Sequence, residues 1–435
     1  MISTDILVVG GGLSGLAAAR SLQASSAKYI LLERCPVLGG LTRTSEVGDF
    51  CFDYTGHFLH LQRYASPAAI PFAGLHDDDW ISVGRHASCY VADRMITAPF
   101  QYHLAELPPL VLEECIRSYD ERPRLNKTSA ASFMEYLVCG FGGAIADIFL
   151  IPQNEKTLAI SLDRLSMNAV KRFFPVADEA AIKQGIKGEP SAISGYNASF
   201  WYPRVGGIEL LSRGLSNGLE RYYLNQEVCT VDLDRRRVRT RGGLEICWDS
   251  LLTSVPLPFF CFLTGDPELI QAAKQLTHST TICVNIGLRG EVALPLRDQH
   301  WIYVPDRKIP FYRVGVYSNI SAGSCASGHS AIYAEVGIPA EHLSASDLFA
   351  LQENVINALE ILGWLDRRKV ECILTHTLCC AYVHHTSEAE TAVGQIFARL
   401  ARDGVWPIGR YGCWDYISME DSIINGIFVA TGVLS

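Results

Sequence analysis

Apolar and polar positions along this chain switch repeatedly between sheet and helix periods. Residues 5 to 10 form a β-branched apolar run, 13 to 24 space apolar residues three and four apart, and 29 to 33 (Tyr29-Ile30-Leu31-Leu32-Glu33) return to a short apolar run. One strand, one helix and a second strand are predicted. From about 104 to 175 the helical period dominates, through Ser132 to Leu137 and Ala144 to Leu150, with Pro108-Pro109 and Pro152 as punctuation. Residues 226–233 and 236–246 read as the arms of a hairpin around Asp234-Arg235, with Arg236, Arg237, Arg239 and Arg241 on its solvated side. Strand patterns recur at 281–288, 301–304, 311–317 and 331–337, and 344–362 reads as an amphipathic helix before a strand at 370–378.

These elements predict an α/β fold in three parts. A Rossmann-like dinucleotide domain takes residues 1–83, 204–265 and 390–435, a helical domain is inserted at 104–185, and an antiparallel-sheet substrate domain takes 84–103, 186–203 and 266–389. A chain of 435 residues, 49% hydrophobic and 19% charged, is long enough for such parts to share a buried core. The net charge of −9 argues against a nucleic-acid surface. Any anionic ligand must then be met by a few placed arginines. No apolar run reaches the ~18 residues of a membrane helix, and Met1 to Asp5 leave no room for a secretory leader, so a cytoplasmic location is expected. Homo-oligomers are compatible with such a chain. The 14 cysteines lie in apolar contexts (Cys139, Cys283, Cys372, Cys379, Cys380), as reduced core thiols do. No Cys-x-x-Cys pair or Cys/His cluster has ligand spacing along the sequence, so no metal is expected.

Gly10-Gly11-Gly12-Leu13-Ser14-Gly15 joins the first strand to the first helix. There glycines allow a tight turn and a close backbone approach to a pyrophosphate at the helix N-terminus. Glu33 ends the second strand, where a carboxylate accepts a ribose hydroxyl. Pro36-Val37-Leu38-Gly39-Gly40-Leu41-Thr42-Arg43 follows, and it resembles the extended signature of FAD proteins of the glutathione-reductase and amine-oxidase type. FAD is therefore expected rather than NAD. Val228 resembles the strand residue at the adenine end in those proteins, or is a plain core valine.

Over nearly its full length the chain resembles the UDP-galactopyranose mutases, particularly their eukaryotic branch. The likeness rests on several blocks in order: Gly56-His57 within Asp53 to Phe58, Arg85, Pro99-Phe100-Gln101, Ile145 to Phe149, Tyr196 to Phe200 and Pro203 to Gly207. Trp301-Ile302-Tyr303, Pro310 to Arg313, and Gly409-Arg410-Tyr411-Gly412-Cys413-Trp414-Asp415-Tyr416 continue it. The resemblance implies that His57, Arg172, Asn197, Tyr303, Arg313, Tyr382 and Tyr416 serve catalysis. It assigns Leu13, Ser14, Arg34, Leu41, Gly56, Arg85, Arg410, Asp421 and Ser422 to the cofactor beside the glycines. It places Phe100, Gln101, Phe149, Gln153 and Leu158 around the substrate, with the arginines and tyrosines on the diphosphate. Any one of the tyrosines is also readable as core or sheet surface.

The implied reaction interconverts pyranose and furanose forms of a nucleotide hexose. Reduced FAD would attack the anomeric carbon through N5, expel the nucleoside diphosphate and release the rearranged sugar, with NADPH or another reductant activating the flavin. Three positions depart from the family: Ala98 replaces a uracil-contacting Tyr, Gln153 a base-stacking Tyr, and Leu158 a Trp. A base other than uracil, such as a purine, is expected. Ser418 and Cys379-Cys380 also depart, leaving the sugar open, and the chain ends sooner than eukaryotic members, which predicts a reduced C-terminal cover. Two other readings stand beside the mutase: an FAD-dependent oxidoreductase of the amine-oxidase or protoporphyrinogen-oxidase type, and a binding module without catalysis.

Overall fold

The structure, a computed structural model, describes residues 2–123, 132–167, 177–189, 198–340 and 343–434. Leu7 and Val8 of the first strand, Ile2–Val9, are fully buried, as expected of a parallel strand covered on both faces. It pairs in parallel with Tyr29–Leu32 on one side and Glu245–Thr253 on the other. The helix Leu13–Ala24 forms the predicted crossover. The sheet runs Val228–Asp232, Arg237–Thr240, Glu245–Thr253, Ile2–Val9, Tyr29–Leu32, Tyr222–Tyr223, and Val405–Pro407 adds in parallel beside Glu245–Thr253.

The expected hairpin is only partly right. Val228–Asp232 and Arg237–Thr240 do pair antiparallel, but a turn at Gly242-Gly243 breaks the second arm, and Glu245–Thr253 is a separate strand that crosses into the centre of the sheet. Gly243 adopts φ +85°, which ends the strand where the apolar pattern alone ran on. The arginines are solvated as expected, Arg237 and Arg241 pairing with Glu245 and Glu227.

A second sheet has the order Val370–Val383, His278–Arg289, His329–Pro339, Arg313–Val316, Trp301–Tyr303, Ala87–Val91, Arg94–Thr97. It is antiparallel except where Trp301–Tyr303 meets Ala87–Val91. Alternation sorts its central strands. Val314, Val316, Ile332 and Ala334 cluster with Val355, Ile356 and Leu359 of the helix Ala345–Ile361, while Arg313, Tyr333 and Glu335 occupy the alternate positions. Residues 143–158 are helical throughout, so Pro152 does not punctuate. A π turn at Ala146–Leu150 runs directly into the helix Ile151–Leu158, and this wider turn just before Pro152 is where the helix takes up a residue with no N–H to give.

Tyr333 is fully buried, and two glycines make its space. A side chain at Gly56 or at Gly315 would overlap its ring or hydroxyl. Gly315→Ala should therefore cost about 1–3 kcal/mol, the range for overpacking a core, and much less in a Tyr333→Ala background. Denaturant midpoints of the four proteins in this cycle measure it, and additive effects would contradict the contact.

Candidate active site

Gly10 ends the first strand with φ +103°, donating its N–H to the Leu32 carbonyl at 2.8 Å. A side chain on Gly15 would overlap the Gly10 carbonyl, so this glycine lets the helix approach the strand. A Cβ on Gly40 would lie 3.0 Å from the Gly12 Cα, so the two Gly-rich turns touch. The Glu33 carboxylate accepts the backbone N–H of Gly11 at 2.7 Å and of Cys35 at 2.8 Å. It braces the turn itself, a task the motif alone does not announce.

These turns open on a cavity of about 1460 Å³, bordered by Gly10, Gly12, Leu13, Ser14, Glu33, Arg34, Gly39, Gly40, Leu41 and Val228 at this end. Gly15 and Asp421 stand outside its lining. Asp421 instead caps the last helix: its carboxylate accepts Ser418 N–H at 3.1 Å and Ser418 Oγ–H at 2.6 Å, while its own N–H donates to Ser418 Oγ at 3.1 Å. Ser422 does border the cavity and donates to the Ser418 carbonyl.

The strand Val405–Pro407 carries the C-terminal block back to the Gly-rich turn. Gly409, at φ +71°, sits against Ser14 with no space for a side chain, and its N–H donates to Asn425 Oδ1 at 2.7 Å. Arg410 follows, donating to the carbonyls of Ala381 at 2.7 Å and Ile417 at 3.3 Å. Its guanidinium lies 4.1 Å from the Tyr416 ring centre and 5.6 Å from that of Tyr382, and these two rings are 5.4 Å apart. Arg410 Nε is buried without a hydrogen-bond partner, and among the described residues no carboxylate pairs with Arg410.

Across the second sheet Tyr303, Arg313, Glu335 and Cys283 stand in register on successive strands. Arg313 donates Nε–H to Glu335 at 2.7 Å and Nη2–H at 2.8 Å, closing a two-bond pair around a carboxylate with no exposure. The predicted diphosphate arginine thus has one edge of its fork filled, and its Nη1 has no hydrogen-bond partner among the described residues. Glu335 also accepts from Thr55 Oγ and from Gly56 N–H at 3.2 Å. Burial opposes its ionisation, but Arg313 and these donors hold its carboxyl below the ordinary range. The sequence offers a signal for Glu335, a lone acid in a strand apolar on both faces, but no motif marks it.

Through Gly56 the pair fixes His57, whose Nδ1 is buried without a partner. Burial, with Arg410 and Arg313 nearby, pushes the His57 imidazole down to about 4 against the pull of Glu335. Tyr303 and Tyr382 border the same cavity, and burial raises both phenols, so they stay neutral donors.

At the far end Phe100 stacks on Phe149 with ring centres 4.7 Å apart, and Ala98, Gln101, Gln153 and Leu158 join the lining. Gln153 does not offer both edges as expected: Nε2 donates to the Tyr312 carbonyl at 3.0 Å, and only Oε1, buried and unpartnered, remains. Arg85 borders the cavity with Nη2 3.4 Å from the Ala98 carbonyl and Nε unpartnered. Arg172 and Asn197 lie outside the described residues.

Burial sets a pH dependence. His57, His300, His376 and His384 are each pushed down to about 4 in the fold, below the ordinary 6.5. As pH falls from 6.5 toward 4 the unfolded chain takes up these protons first, so folding loses stability through that window. Asp53, pushed up to about 6 by burial, works in the opposite direction between its ordinary 3.8 and 6. Four imidazoles outweigh one carboxyl. The denaturant midpoint should fall between pH 7 and pH 5, with net proton uptake on unfolding; an equal or higher midpoint at pH 5 would refute it.

Residues 8–70 match the NAD(P)-binding Rossmann-like domain family. A reduced UDP-galactopyranose mutase structure superimposes with a TM-score of 0.89 at 23% identity, covering 100% of this chain and 94% of that one. A provisionally named protoporphyrinogen oxidase from Exiguobacterium sp. 255-15 does so with 0.77 at 20% identity, covering 100% and 99%. A CLA-producing fatty acid isomerase from P. acnes gives 0.64 at 16%, covering 99% and 98%. The chain therefore has an α/β fold with a Rossmann-like dinucleotide domain, shared with mutases, isomerases and oxidases.

Proposed function

We propose that this chain is a flavin-dependent nucleotide-sugar mutase that interconverts pyranose and furanose forms of an NDP-hexose. One observation carries the reading: buried cationic and neutral donors converge on the cavity without partners. Arg410 Nε, Arg85 Nε and Gln101 Nε2 are all buried and unpartnered, and all three residues line the same space. Leaving such groups unsatisfied is costly, so a ligand rich in acceptors belongs there. Apart from Arg313, which Glu335 already matches, the lining holds Arg34, Arg43, Arg85 and Arg410 against Glu33, Asp178 and Glu227, a slight cationic excess in a chain of net charge −9. A diphosphate suits that field; a cationic amine does not.

The cavity also has the size for two ligands, about 1460 Å³ against the roughly 300–1,000 Å³ of ordinary small-molecule pockets. On this reading FAD lies along the Gly10–Gly15 and Gly39–Gly40 turns, with the pyrophosphate at the N-terminus of the helix Leu13–Ala24. Residues 1–83, 204–265 and 390–435 form its domain. Once bound and reduced by NADPH or another reductant, the flavin would supply a nucleophilic nitrogen for the anomeric carbon. The chain's own residues hold and neutralise. Arg410, Arg85 and the free Nη1 of Arg313 meet the leaving diphosphate, and Tyr303, Tyr382 and Tyr416 donate neutral hydrogen bonds to it. Neutral His57 adds no charge beside the sugar and can accept or donate at Nδ1. Arg172 and Asn197 are proposed to complete the substrate side. The oxidoreductase reading remains the competitor, since the oxidase neighbour spans the chain equally.

At the base end, Gln153 has only an acceptor to offer, so the base must present an N–H there. Uracil N3–H and the N–H groups of a purine both do so, and the small Ala98 and Leu158 beside Phe100 and Phe149 leave space for the larger purine ring. Titration with GDP, ADP, UDP and dTDP should favour a purine diphosphate, and Gln153→Leu should weaken that ligand about tenfold, the loss of one buried hydrogen bond. Preference for UDP, or an unaffected Gln153→Leu, would count against the base assignment.

The activity test is incubation of the chemically reduced protein with a panel of NDP-hexoses, reading furanose product by chromatography. Substrate-driven cofactor reduction with oxygen uptake and no furanose would transfer the protein to the oxidoreductases. Gly12→Val should fold, because a Cβ there comes only within 3.8 Å of Gly40 Cα, yet should lose bound FAD as the larger side chain enters the pyrophosphate path. Full yellow occupancy in this variant would contradict the site.

A further inference from the structure

The strand Val370–Val383 pairs unevenly with His278–Arg289. Ser279 faces Tyr382 and Thr281 faces Leu378, so Thr280 alone stands opposite three residues, Cys379, Cys380 and Ala381. The two surplus residues bulge, and Cys380 takes φ +58°, a left-handed conformation rare for a residue with a side chain. Arg410 fixes the bulge by donating to the Ala381 carbonyl at 2.7 Å. Successive residues of a regular strand point to opposite faces. Here the bulge turns two successive thiols toward each other, with Sγ atoms 3.9 Å apart.

His278 begins the neighbouring strand and completes the group. One ligand atom from each of His278, Cys379 and Cys380 lies within 4.8 Å of the others. His278 Nδ1 is 3.2 Å from the Ser279 carbonyl; donating there leaves Nε2 with its lone pair, the arrangement that holds ligating histidines in place. His278 and Cys380 are buried, while Cys379 borders the large cavity.

We propose that His278, Cys379 and Cys380 bind one thiophilic divalent cation of the zinc class, with the fourth coordination position open to the cavity. The spacing decides between this and a disulfide. Two thiolates each about 2.3 Å from a tetrahedral zinc ion stand about 3.8 Å apart, close to the 3.9 Å found. A disulfide needs sulfurs at about 2.0 Å and Cα atoms at least about 4.4 Å apart, whereas Cα atoms joined by a trans peptide are about 3.8 Å apart. The pair is set for chelation. On binding, both thiol protons leave to solvent, and the two thiolates balance the ion's charge. The sequence hides this site because its histidine and cysteines are far apart along the chain and meet only across two paired strands.

The test uses the purified full-length protein, stripped with a chelator and titrated with Co²⁺. Absorption bands in the red, where oxidised flavin does not absorb, should saturate at one equivalent with release of thiol protons, and Zn²⁺ should displace the cobalt. Cys379→Ser and His278→Gln should each abolish the bands while Cys229→Ser, on the other sheet, keeps them; circular dichroism checks that each variant folds. Absence of the bands in the parent protein, or their persistence in both site variants, overturns the proposal. Loss of two hydrogens from Cys379 and Cys380 under mild oxidation, with no ion bound beforehand, also overturns it and reassigns the pair to disulfide chemistry.

Discussion

The buried pair of Glu335 and Arg313 is the constraint on which the site depends. A carboxylate without solvent exposure is tolerated in a sheet only if its charge and lone pairs are matched. Arg313 matches the charge along one edge of its fork, and Thr55 and Gly56 N–H supply the remaining donors. Matching Glu335 therefore draws the loop at Thr55-Gly56, just after the strand Phe50–Asp53, down onto the second sheet. Asp53, two residues earlier, repeats the device. Its carboxyl accepts from Thr44, Tyr202 and Ile208, and its carbonyl from Asn285 and Tyr317. The segment leading into His57 is thus fixed without a bond to the imidazole's own Nδ1.

The opposite wall is built by close approach rather than charge. Gly409 and Gly426 both face Ser14 where a side chain would overlap it, so the last helix, Met419–Leu434, can lie across the first, Leu13–Ala24. Glu420, at the start of that last helix and fully buried, accepts backbone N–H groups of Gln62, Arg63 and Tyr64. The segment after His57 is thereby tied to the same helix that seats Gly409 on Ser14. Distant parts of the chain share one wall because each supplies either a missing side chain or a buried acceptor.

Local periodicity made much of this legible. The strand, turn and helix from Ile2 to Ala24 read directly, because parallel-strand burial and the helical stripe both leave uniform patterns. The helix Ala345–Ile361 did too, since only one of its faces meets the sheet. What stayed hidden depends on pairing. Glu335 becomes meaningful only once Arg313 lies beside it, and the bulge at Cys379-Cys380 exists only as a mismatch between two strands. The strand Val370–Val383 extends past the expected 378 because that mismatch lets pairing resume at Tyr382. Gln153 was named from its position, but which of its edges is free depends on a carbonyl from Tyr312, remote in sequence.

Arg313 and Arg410, both proposed to meet the diphosphate, have different electrostatic standing. Arg313 is already neutralised by Glu335, so a phosphate reaching its Nη1 meets a dipolar pair rather than a bare cation. Arg410 is surrounded by the rings of Tyr382 and Tyr416 and by two carbonyls, which orient its charge without cancelling it. On the proposed reading the diphosphate's charge is therefore balanced chiefly by Arg410 and Arg85, while Arg313 sets direction. Such a division suits a leaving group that must depart and return within one turnover. Because the departing diphosphate gains a negative charge that the sugar ester does not carry, Arg410 and Arg85 would stabilise it more than the bound substrate, the differential binding that lowers a barrier.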